Sequence, residues 1–105
     1  MHINIINTTT DSLITARHIA KYLVKNKLSP CVQIVPIIES IYIWKRQLRH
    51  SKELLLIIKT APDHVQKCKK HILQLHNYDI PEIIVTEGEI VHDMYRDWFL
   101  SNITQ

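Results

Sequence analysis

Three side chains able to hold a soft metal recur on one short stretch: His64, Cys68 and His71, at i, i+4 and i+7. At ~100° per residue a helix brings all three into one narrow sector. A thiol with two imidazoles suits copper or zinc. The structural alternative is a core cysteine with two histidines at the water boundary, because free cysteine commonly behaves as a small buried hydrophobe. A second set mixes charge with aromatic surface: Lys59, Tyr78, Glu82, Tyr95 and Trp98, with His76 nearby. Lys59 closes an apolar run, and Glu82 follows Pro81 at the start of another. Charges at apolar strand ends are costly unless paired. They are expected to form a structural Lys–Glu pair under aromatic cover, or to line a pocket for a small anionic or metal-chelate ligand. In such a pocket Lys59 contacts the anion, the aromatic rings form walls and Glu82 orients.

The elements that must position these groups are organised around Cys31–Trp44, a run rich in β-branched and aromatic residues that fit a pleated surface. A polar gap, Lys45 to Glu53, separates it from a second apolar run, Leu54–Thr60, and the two read as a long β-hairpin. Pro36 marks a break, bulge or edge position in the first arm. Ile3, Ile5 and Ile6 belong to an earlier strand ending at Asn7–Thr10. Leu13, Ala16, Ala20, Leu23 and Val24 recur at helical spacing, which predicts a helix from about Ser12 to Lys25, with Asp11 or Ser12 as N-cap and Asn26 as C-cap. Val65, Cys68, Ile72 and Leu75 form the stripe of a second helix opened by Pro62. Pro81–Thr86 reads as a fourth strand and Gly88 as a turn. Val91 to Leu100 reads as a C-terminal helix. The plan is α+β: a ferredoxin-like βαββαβ antiparallel sheet with a long hairpin between its second and third strands, plus a final helix. Both hairpin faces look apolar, and a chain of this size cannot cover both, which argues for association through the sheet.

Composition narrows the function classes. A length of 105 residues fits one domain, 1–105. With a single glycine there is no Gly-rich phosphate loop, and no nucleophile–base pair is readable, so an enzyme is not expected. A net charge of +3 falls short of a nucleic-acid footprint. No apolar run approaches the ~20 residues needed to span a membrane. Two cysteines are too few for a secreted disulfide scaffold, and no signal-peptide pattern opens the chain, so the expected setting is the cytoplasm.

Several segments together resemble the CutA family of divalent-cation tolerance proteins: Lys27–Val32 (KLSPCV), Ser40–Lys45 (SIYIWK), Leu55–Thr60 (LLIIKT), His76–Ile84 (HNYDIPEII), and Met94-Tyr95 with Trp98. Their order and spacing hold from about Ile3 to Asn102. The resemblance implies a ferredoxin-like homotrimer assembled through long strands and serving divalent-cation, chiefly copper, tolerance. It implies that Lys59, Tyr78, Glu82, Tyr95 and Trp98 gather in a cleft between subunits. The copper ligands proposed for some members fall here on Asn7, Leu75 and His76, so only His76 survives as a metal candidate. Cys31 stands at the usual cysteine before the second strand and is the other candidate for Cu(II) or another divalent metal. The alternative is a signalling or adaptor trimer binding a small anionic effector in the same clefts, by analogy with nitrogen-regulatory trimers of this fold. Three positions depart from the family pattern: Arg46 replaces a glycine, and Thr10 and Asn77 replace prolines.

Overall fold

The computed structural model describes all 105 residues. Its strands are β1 (His2–Thr10), β2 (Cys31–Trp44), β3 (Gln47–Thr60) and β4 (Ile84–Glu89). Its helices are α1 (Leu13–Lys25), α2 (Val65–Leu75), preceded by a 3-10 turn at Pro62–His64, and α3 (Asp93–Ser101). The strands form one sheet in the order β2-β3-β1-β4, with every neighbouring pair antiparallel. This is the expected ferredoxin-like arrangement.

Local chemistry sets the element ends. The Ser12 hydroxyl caps α1 by accepting from the Thr15 N–H at 3.1 Å. At the other end the Leu28 N–H returns to Leu23 O and the Lys27 N–H to Val24 O, the paired bonds of a Schellman stop. Lys27 takes the left-handed conformation that this stop requires, at φ 57°. Leu28 and Leu23 are both buried and lock the stop by apolar contact.

The hairpin differs from expectation in one respect. Lys45–Glu53 is not a polar connector. Lys45 and Arg46 alone make the turn, both at positive φ (50° and 65°), and Gln47–Glu53 continues as strand. A two-residue turn with both φ positive matches the right-handed twist of the flanking strands. Polar residues serve here because the backbone ladder, paired with residues 38–44, needs no apolar side chains. Pro36 sits where the register slips between Val35 and Ile38, the bulge that a missing N–H favours. β4 also begins and ends later than the predicted Pro81–Thr86. Gly88 is inside it, opposite Ile3, and an added Cβ would meet Ile5 Cδ1 at 3.2 Å. Its role is close packing, not a turn.

α1 and α2 cover one sheet face, burying Ala16, Ile19, Leu23, Cys68 and Ile72 on Ile6, Leu56 and Ile58. Side chains alternate along a strand, so Ile3 and Ile5 face the other way. There they meet α3 and the C-terminal residues through Phe99, Ile103 and Tyr95. The rest of that face has no layer over it within the subunit: Gln33 and Ile84 are exposed.

β1 spans β3 only from Leu54 to Thr60, so beyond Val35 the hairpin is a two-stranded ribbon. The ribbon stretches the subunit to 46 × 25 × 22 Å, with a radius of gyration of 14.5 Å against ~13 Å for a compact chain of this length.

Candidate functional site

Residues 53, 55, 57 and 59 of β3 share one face, with Cys31 opposite Lys59 on β2 and Thr9 opposite Leu55 on β1. This is the face that α1 and α2 leave open, and it carries functional side chains at both ends.

At one end stands Lys59. Its ammonium lies 5.9 Å from the Tyr95 ring centroid, and Tyr95 lies 5.4 Å from Trp98 at a 39° tilt. α3 presents both rings. Lys59 makes no ion pair: the subunit's only two bridges join Arg96 to Asp93 and to Asp97. A cation beside an aromatic face with no carboxylate partner is suited to an anionic group.

At the other end stands Tyr78. Its hydroxyl donates to Glu53 Oε2 at 2.8 Å, and its ring lies 5.0 Å from His76. Burial and the Glu53 carboxylate together push the Tyr78 phenol above its usual range, so it remains a donor. Glu53 is buried. Glu82, exposed, shares with it the wall of a cavity of about 580 Å³ that Tyr42 and Trp44 also line.

The five residues expected to share one cleft therefore divide into two groups within the chain. Lys59, Tyr95 and Trp98 form one group, and Tyr78 and Glu82 the other. Lys59 and Glu53 mark the two ends on β3, ~20 Å apart at about 3.3 Å per residue. The Lys59–Glu82 pair is not made within the subunit. Sequence reasoning missed Glu53, which looked like the last residue of a polar connector. Its place in the 53-55-57-59 alternation with Leu55, Ile57 and Lys59 was the available signal.

His76 Nε2 donates to Thr9 O at 2.9 Å, while its Nδ1 accepts the Tyr78 N–H at 3.0 Å. Both ring nitrogens are thus engaged, and burial lowers the imidazole pKa, keeping it neutral. Cys31, half-buried, is at the Lys59 end, away from His76. His64 is buried and its Nε2 bonds Thr104 O. Cys68 is fully buried, with its sulfur 3.7 Å from both Leu28 O and Thr60 Oγ1, and burial pushes its thiol pKa up, away from the thiolate that binds metal. His71 stacks against Tyr22 at 4.8 Å, with Nδ1 3.2 Å from Gln74 Oε1. The helix trio is not brought together, and no three His, Cys, Asp or Glu side chains of the subunit form a group that could hold a metal ion. The donors of one subunit do not fit a copper centre.

Residues 4–102 match the family model described as CutA1 divalent ion tolerance protein. A Thermus thermophilus divalent-cation tolerance protein CutA is 39% identical over 94 residues, covering 90% of this chain and 91% of that protein. A zebrafish CutA homolog is 33% identical over 100 residues; the match covers 95% of this chain but 65% of that longer protein. The solved structure of the Thermus thermophilus divalent cation tolerance protein superposes with a TM-score of 0.90 at 36% identity, covering 99% of this chain and 100% of the other.

Proposed function

The chain belongs to the CutA1 divalent ion tolerance family, and on that premise we propose that it acts as a cyclic homotrimer whose inter-subunit clefts bind a small ligand in support of divalent-cation, chiefly copper, tolerance. The observation that carries this reading is the division of the cleft residues between the two ends of one open sheet face. A head-to-tail contact sets the Lys59–Tyr95–Trp98 end of one subunit against the Tyr78–Glu82 end of the next. Head-to-tail contacts close into rings where the rotation between neighbours allows, whereas a two-fold contact would join like to like.

The hairpin ribbon supports the same assembly. Ile37, Ile41, Ile43 and Leu48 are more than half exposed on it. A two-stranded ribbon is marginal in water, and cover from neighbouring subunits would stabilise it. β2 and β4 both end the sheet as unpaired edges, a further means of joining subunits.

No catalytic step enters this reading. Because the donors of one subunit do not form a chelate, support for tolerance comes through ligand binding in the cleft, with any metal arriving as a chelate. A cytoplasmic setting goes with it, in keeping with the free thiols of Cys31 and Cys68. The unpaired Lys59 favours one second reading, an adaptor trimer whose effector is a small anion.

Growth of cells lacking the gene, titrated with Cu²⁺ and complemented with wild type or Lys59→Ala, tests the proposal. Wild type restores tolerance and Lys59→Ala does not, although it remains trimeric. Equal rescue by both would remove Lys59 from function. A partner pull-down that responds to a small anionic metabolite but not to metal would favour the adaptor.

A further inference from the structure

The cavity at the Tyr78 end has a chemistry of its own. It is walled by Tyr42, Trp44 and Tyr78, and carries Glu53, Asp79 and Glu82; no lysine or arginine lines it, in a chain of net charge +3. Glu53 is 7% exposed. The Tyr78 hydroxyl satisfies its Oε2, whereas no donor reaches Oε1 and no cation pairs with the carboxylate. Oε1 keeps some exposure in a residue that lines the cavity, and a carboxylate oxygen left without a donor gains most from a cation that also donates hydrogen bonds. The carboxylates do not converge into a group able to hold a bare metal ion. Negative charge spread along aromatic walls suits an extended organic cation, held by the ring faces and by Glu53.

We propose that this pocket binds the alkylammonium or guanidinium end of a small organic ligand. The inference deepens the cleft reading and rests on it only for what meets the ligand's far end. If the neighbour's Lys59 faces the cavity mouth, a ligand carrying a carboxylate at that end, an amino-acid-like zwitterion, gains a second contact.

The test is calorimetric titration of the assembled protein with phenethylammonium, its neutral isostere 2-phenylethanol, and phenylalanine as the zwitterion. The expected result is binding of phenethylammonium at least tenfold tighter than of 2-phenylethanol, with the ratio lost in Glu53→Gln. Trp44→Leu, at the exposed ribbon, weakens both ligands and keeps the test open if Glu53→Gln fails to fold. Equal affinity for the ammonium and the alcohol overturns the proposal. So does the absence of ammonium binding, which would mean that a neighbouring subunit already fills the pocket. Failure of the cleft reading is separable: phenylalanine would then show no advantage that Lys59→Ala removes, while the ammonium–alcohol ratio would stand.

Discussion

Tyr78 and Glu53, 25 residues apart in sequence, are joined by a 2.8 Å hydrogen bond from the phenol to a carboxylate with no cationic partner. One element is a loop, the other the middle of β3. The bond ties the loop carrying Glu82 to the sheet, and both carboxylates line the same cavity. Tyr78→Phe leaves the buried Glu53 without its donor and is expected to cost about 1–3 kcal/mol in urea unfolding. Absorbance titration at 295 nm should report the same relationship: one tyrosine of the wild type is expected to stay protonated past the usual value of about 10. That group disappears in Tyr78→Phe.

His76 predicts a pH dependence. Its folded pKa lies below the ordinary ~6.5, chiefly through burial. The folded state therefore binds fewer protons than the unfolded chain. The contribution of neutral His76 is fully present above about pH 6.5 and is lost as pH falls through the lowered folded value. Protonation at Nδ1 also removes the acceptor of the Tyr78 N–H. Melting temperatures measured from pH 8 to pH 4.5 should fall more steeply for wild type than for His76→Gln, which can donate and accept without titrating.

Thr10 and Asn77, 67 residues apart, are tied through their side chains. Thr10 Oγ1 donates to Asn77 Oδ1 at 2.6 Å, and Asn77 Nδ2 donates to Asp11 at 2.8 Å. These side-chain hydrogen bonds tie the end of β1 to the loop after α2. A double-mutant cycle of Thr10→Val and Asn77→Ala is expected to give a coupling of about 0.5–1.5 kcal/mol. A coupling near zero would make the two replacements independent.

Arg46 keeps a turn whose geometry favours glycine, at φ 65°. Arg46→Gly should stabilise the subunit by about 1 kcal/mol by relieving a left-handed side chain. Lys27→Gly should do the same at the end of α1. Arg46→Ala, which keeps the Cβ, should not. Chemical denaturation of the three variants checks this.

How far the sequence could be read follows from which signals were local. α1 was legible because its apolar stripe and Ser12 cap lie within a few residues of each other. Pro36 announced the bulge through its missing N–H. The second half of the hairpin was not legible: Gln47–Glu53 is polar, and its strand state comes from cross-strand pairing with residues 38–44. Gly88 misled for a similar reason, since glycine in a strand and glycine in a turn look alike until Ile5 is placed beside it. Among site residues, Lys59, Tyr95 and Trp98 were named from the sequence and do cluster. The His64–Cys68–His71 spacing was correct for a helix, but α2 begins only at Val65 and Cys68 turns wholly into the core. Periodicity places residues on a face; it does not say whether that face meets water, a metal or another helix.

The proposed cleft depends on head-to-tail assembly. Sedimentation equilibrium of the purified chain, with and without Cu²⁺, measures it. The expected species has three times the 12.4 kDa subunit mass in both conditions, with Ile41→Lys on the exposed ribbon shifting it toward monomer. A stable wild-type monomer or dimer at micromolar concentration would contradict the head-to-tail trimer, and with it the cleft that joins Lys59 of one subunit to Glu82 of the next.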